Sequence, residues 1–344
     1  MPRRTASRLP LALLMGALVA TAPLAATAKQ PAGPCTTAEG KVFFPNPVVT
    51  SGNTNLTDNK DADSAVLNNE RVSVALTNLD GSGYLRGTWA TVASETGNPA
   101  YETDCTYDYT RHDDRFEQVM AYYWVTQSQL YLRSLGFGVT SGWPAINADQ
   151  QRVRLNQLGY DNSFATDHPK DELRFGKGGV DDAEDAEVIL HELGHQIHFS
   201  QSATFFATEQ AGAISEGFGD YWAADVSEVV AGVQPHPACI MEWDSTSYTA
   251  GPIHCLRRLD DGLTYPTDLD GEVHDDGTIW SQALWEMRAA IGHVHADTAI
   301  LWAQFNWTGT TMPALAQRIV DQAQARYGQG AAARVAFHAR GILP

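Results

Sequence analysis

His191-Glu192-Leu193-Gly194-His195, followed by Glu216-Gly217-Phe218-Gly219-Asp220, is the stretch on which the reading of this chain turns. On an α-helix of 3.6 residues per turn, positions four apart lie one turn above each other, so His191 and His195 can reach one ion. Glu192 is turned about 100° from His191 around the same helix. It therefore stands beside the ion, placed to take a proton from a bound water.

A catalytic zinc takes three protein ligands and keeps a fourth position for water. The candidates for the third are His198, Glu209 and Glu216. A third ligand supplied from the His198 end of the same helix would follow a pattern with Gly at 198 and His at 201, and the chain has His198 and Gln201 there, so that pattern fails. Glu216 lies in a helical stretch where it shares a face with Asp220, four residues on. One carboxylate can bind the ion while the other, assigned to Asp220, accepts the outer N–H of a ligating histidine. Gly217 and Gly219 weaken a helix by about 1 kcal/mol each, and close approach of a second helix accounts for them. A bare five-residue match also fits an amphipathic helix with solvent-facing histidines, and it is Glu216 and Asp220 that favour the metal centre.

Working outward, residues 1–28 carry Arg3, Arg4 and Arg8, an apolar run from Leu9 to Ala25, and then Ala26-Thr27-Ala28. This is the pattern of a secretory signal peptide cut after Ala28. No later segment approaches 18 uninterrupted apolar residues, so no membrane anchor is expected and the mature chain is read as secreted or periplasmic. Its removal takes the formal charge from -18 to about -21. So acidic a surface repels phosphate backbones and argues against nucleic-acid partners. About 316 mature residues, 43% of the full chain being hydrophobic, suffice for a large core and two lobes. A monomer is expected.

Four cysteines in an oxidising compartment allow three pairings. Cys35 with Cys105 and Cys239 with Cys255 is favoured, since each pair lies within one lobe and the second closes a short loop. From Cys35 to about Arg111 the chain alternates like β-structure. Asp113-Asp114 then open a helix whose apolar stripe, Phe116 to Tyr131, ends at Gly136. Strand-like pieces follow at 151–155, 163–165 and 172–175. Asp181, Asp182, Glu184 and Asp185 precede the metal-binding helix, where their charge complements the helix dipole. A calcium site on these carboxylates is the alternative reading. An irregular section spans residues 232–277, and helices are expected over 279–291, 297–307, 312–326 and 331–338.

The chain resembles the gluzincin metalloproteases, nearest to the fungalysin group and more distantly to thermolysin. Beyond the two motifs, the resemblance rests on Asn162-Ser163-Phe164, Phe175 to Asp182, Gly212 to Glu216 and Val273 to Trp280. Val42-Phe43-Phe44-Pro45-Asn46-Pro47 is also similar to fungalysins. The resemblance implies an α+β, two-lobed fold, with residues 29–200 as a mixed lobe that includes the zinc helix and residues 201–344 as a mainly helical one. The zinc helix would floor the cleft between them. Asn162 and Ser163 would lie on an edge strand that pairs with an extended polypeptide substrate. His274, placed in a loop before a helix, would donate to the oxyanion. Arg257, or Arg258 beside it, would contact a substrate carbonyl.

Taken together, Zn²⁺ held by His191, His195 and Glu216, with Glu192 as general base, implies a zinc endopeptidase. The Gly-Ala-Met-Glu-Asn element of the aminopeptidase branch is absent. Two departures stand out. Phe205, Phe206 and Ala207 fill the region where thermolysin-like enzymes carry an oxyanion-holding tyrosine, so Tyr221 or Tyr265 is a candidate replacement. The long inhibitory propeptide of the family has no counterpart in the segment after Ala28. The alternatives are a secreted, non-catalytic, zinc-stabilised binding protein of the same fold, or a zinc hydrolase of non-peptide esters or amides.

Overall fold

A computed structural model describes residues 35–168 and 171–344. The expected signal peptide, 1–28, lies outside the described residues. In chain order the elements are β1 (Ala38–Val42), α1 (Pro47–Ser51), α2 (Ala65–Asn69), β2 (Val72–Leu76), β3 (Ala90–Ser94), β4 (Thr106–Tyr107), α3 (Arg115–Ser134), β5 (Gln151–Leu158), β6 (Ser163–Thr166) and β7 (Glu172–Gly176). They continue with α4 (Ala186–Gln201), α5 (Glu209–Ala231), β8 (Cys239–Ile240), β9 (Arg257–Arg258), α6 (Val273–Ile291), α7 (His293–Gln304), α8 (Met312–Tyr327) and α9 (Gly330–Ala339). Strands concentrate before α4 and helices after it, a mixed α/β architecture compatible with α+β.

The larger sheet has the order β3-β5-β7-β6. β3, β5 and β7 run parallel, and β6 closes the row antiparallel to β7, with Ser163 opposite Phe175 and Thr166 opposite Glu172. β6 is therefore an edge strand. A smaller sheet, β2-β1-β4, stands before α3. α3 packs against β1, β3 and α4, and its aromatic stripe of Phe116, Tyr123 and Trp124 is core, as the spacing predicts.

From β1 to β4 the chain is not uniformly β. Asn46 accepts from Val49 N–H and is followed by Pro47, and Ser64 accepts from Leu67 N–H, so two short capped helices interrupt the strands. Both disulfides, Cys35–Cys105 and Cys239–Cys255, have the favoured pairing.

α4 is buried on nearly every face, from Ala186 to His198. Such a helix lies inside the molecule, and α5 covers it, with α6 packed on α5 in turn. Glycines permit the approach: a Cβ on Gly194 would stand 2.9 Å from Cα of Gly219, and one on Gly217 would stand 2.2 Å from the carbonyl oxygen of Gly277. Close helix packing is the reason for Gly217 and Gly219.

Candidate metal centre and cleft

Asp185 caps α4 by accepting from Glu187 N–H at 3.0 Å, and one turn later the helix presents His191 and His195 on the face toward α5. α5, capped by Thr208, presents Glu216 and Asp220 in return. Nε2 of His191 lies 3.1 Å from one Glu216 oxygen, and Nε2 of His195 lies 3.6 Å from the other. The outer nitrogens are engaged elsewhere: Nδ1 of His191 stands 2.9 Å from Asp220, and Nδ1 of His195 stands 3.1 Å from the Ser215 hydroxyl. Two imidazole Nε2 atoms and a carboxylate thus converge with their outer sides already occupied, which is the donor set and the outer support a divalent ion requires. These three residues could hold a metal ion.

Burial opposes charging of His191, but the carboxylates of Asp220 and Glu216 outweigh it and raise its pKa to about 10. Burial dominates at His195 and pushes it down to about 4. Glu216 has the opposite balance: burial alone would raise it, and the two histidines hold it well below the usual carboxylate range. Asp220 is likewise held down to about 2, against burial, by Arg257 and His191. Burial pushes the Glu192 carboxyl up to about 8, and its Oε2 is buried with no hydrogen-bond partner.

Glu192 and His191 line a cleft of about 510 Å³. The same cleft is bounded by Asn162 and Ser163 at the start of β6, by Val188 of α4, and by Arg257 and His274. Asn162 sits one residue before the strand, its carbonyl accepting from Gly176 N–H. The Ser163 hydroxyl donates to Asp182.

His274 departs from its expected loop position. It lies in the first turn of α6, because Glu272 caps that helix by accepting from the N–H groups of His274 and Asp275. Glu272 also holds Nδ1 of His274 at 2.7 Å, leaving Nε2 directed at the centre, 3.5 Å from Glu216. The ring is half exposed and meets the cleft.

Arg257 and Arg258 are resolved by their partners. β9 pairs Ile240 with Arg257, and the partly buried Arg257 guanidinium grips Asp220 with two bonds of 2.7 and 2.6 Å. Arg258 pairs with Asp260 at the surface. His198, set aside as a ligand, is buried between the rings of Phe205 and Phe218.

Neither proposed replacement for the tyrosine reaches the cleft: the buried Tyr221 hydroxyl donates to Asp297, and Tyr265 is not among the lining residues. Phe206 meets His195 edge-on, with ring centres 5.2 Å apart. The tyrosine that does line the cleft is Tyr248, which sequence reasoning missed because it sits in an irregular segment without a motif.

The acidic run before α4 also divides. Asp185 is the cap, Glu184 forms a buried ion pair with Arg111 at 2.9 Å, and Asp182 faces the cleft near Asp161 and Asp244. Helix-dipole complementarity accounts for Asp185 alone, and the four carboxylates do not share one site. Comparison with protein-family models and with curated proteins finds no match to the chain.

Proposed function

We propose that this protein is an exported zinc endopeptidase with a two-lobed, thermolysin-like arrangement, acting as a monomer on polypeptide substrates. One observation carries the reading: His191, His195 and Glu216 converge on one another, and His191 lines the same cleft as Glu192, which carries a buried, unpartnered oxygen. Zinc bound by these three residues would lower the pKa of a water toward about 7 and polarise a carbonyl.

The chain's own groups carry the remaining tasks. With zinc bound nearby, whose charge would favour the ionised form against burial, Glu192 accepts a proton from the attacking water and returns it to the leaving nitrogen. An extended substrate adds to the edge of the sheet at the start of β6, by Asn162 and Ser163, which fixes its backbone across the cleft. His274, held at Nδ1 by Glu272, donates from Nε2 to the oxygen on which charge develops. Arg257 pins Asp220, and Asp220 orients His191.

The test is hydrolysis of casein and of a mixed-peptide library by the purified mature protein. Phenanthroline should abolish cleavage and added zinc should restore it. Glu192→Gln should lose activity by at least about 100-fold while retaining one equivalent of zinc. Unchanged hydrolysis in that variant overturns the general-base assignment. Zinc retention in a wild-type protein that cleaves no peptide favours the binding protein of the same fold.

A further inference from the structure

Three carboxylates meet in the cleft beside the metal centre. Asp161 precedes β6, Asp182 lies in the short turn before α4, and Asp244 lies just after β8. One oxygen from each falls within 4.8 Å of the others. Asp182 and Asp244 are only 2% and 4% exposed. Each has one oxygen committed, Asp182 to Ser163 and Asp244 to the Tyr248 hydroxyl, and one buried oxygen without a partner. Among the described residues none of the three is in an ion pair, and the cation nearest in the cleft lining, Arg257, is tied to Asp220.

Such a pocket is acidic, and no cation answers it. Burial pushes Asp161 up to about 6, while burial and the neighbouring carboxylates push Asp182 up to about 7 and Asp244 well above the usual range. A positive group placed among them would relieve that repulsion and supply the missing hydrogen-bond donors. A calcium ion seeks six to eight oxygens, whereas this pocket offers three carboxylates whose neighbouring hydroxyls already donate to them. The rest of the lining points the same way. Val188, Met241 and Leu256 add apolar surface to the cleft, suited to the methylene stem of a long cationic side chain. Glu192 lines the same space, so on the peptidase reading whatever fills the pocket lies near the reacting bond.

We propose that Asp161, Asp182 and Asp244 form a specificity pocket for a lysine or arginine side chain flanking the bond to be cleaved. The assignment rests on the peptidase reading above and names the substrate class of that site.

A binding measurement separates the two claims. The zinc-loaded Glu192→Gln protein is titrated calorimetrically with a blocked pentapeptide carrying a central lysine, and with the same peptide carrying norleucine. The lysine peptide should bind about tenfold tighter or more. Asp244→Asn should remove most of that advantage, and Asp161→Asn, at a less buried position, should do the same if Asp244→Asn fails to fold. Equal binding of the two peptides overturns the proposal. So does calcium binding that these substitutions abolish while the peptides remain indistinguishable. In parallel, wild-type digestion of the peptide library should enrich lysine and arginine at one fixed position next to the cleaved bond. Cleavage without enrichment overturns the pocket assignment. An absence of cleavage together with a retained preference for lysine in binding overturns the peptidase reading and supports the cationic pocket.

Discussion

A Cβ placed on Gly219 would stand 2.7 Å from Nδ1 of His191, so the second helix leaves room for the imidazole only because residue 219 has no side chain. Gly219→Ala should push His191 away from Asp220 and out of line with Glu216. A zinc titration should register the variant as binding about 10 to 100 times more weakly, the range seen when the outer support of a ligating histidine is lost. Thermal unfolding should report a destabilisation of about 1–3 kcal/mol from overpacking.

Asp220 links two functions, since its carboxylate holds both His191 and the Arg257 fork. Removing its charge by Asp220→Asn leaves a partly buried guanidinium without its counter-ion, at a cost of about 3 kcal/mol or more. Zinc affinity and denaturation midpoint should fall together. Arg257→Lys, which keeps the charge and loses the bidentate geometry, should fall between that variant and the wild type.

The buried Glu187 accepts from Met241 N–H and from the Ser227 hydroxyl, yet burial and the nearby Asp185 raise its pKa to about 8. A carboxyl whose folded pKa is raised contributes stability that is fully present below its unfolded pKa and is lost as pH rises through the folded value. Stability should therefore decline between about pH 4.5 and 8, by up to about 1.4 kcal/mol per pH unit from this group. Glu187→Gln keeps a carbonyl for Met241 and an amide for Ser227. Denaturant unfolding across that range should give a flatter profile in the variant, and an unchanged slope would remove Glu187 as its source.

The Cys239–Cys255 bridge joins residues 16 apart in sequence, beside the β8–β9 pairing that positions Arg257. Replacing both cysteines by alanine should cost about 3 kcal/mol through the freed loop. Because the strand pair is only two residues long on each side, catalytic efficiency on a peptide should drop more than zinc content does.

How much of the site could be read in advance depended on how local its parts are. His191, His195, Glu216 and Asp220 sit on two helices at spacings of four, so periodicity alone brings each pair to one face. Edge strand β6 was legible from Asn162-Ser163-Phe164 and the resemblance that came with it. Tyr248 and the Asp161, Asp182 and Asp244 pocket were not, because they are gathered from separate turns by tertiary packing, with no period or motif to mark them. The helices α1 and α2 carried a signal that the alternation of their surroundings masked, namely an Asn46-Pro47 start and a Ser64 cap. His274 was misplaced for a related reason: Glu272 starts α6 earlier than its apolar pattern does.

β6, at the edge of its sheet among the described residues, is four residues long. An edge strand invites another copy of a chain to dock against it, and brevity is one of the ways natural sheets resist this. Two molecules meeting side by side there would gain too few main-chain bonds to seed a continuous ribbon, so on the proposed reading that edge would accept a guest chain without favouring self-association.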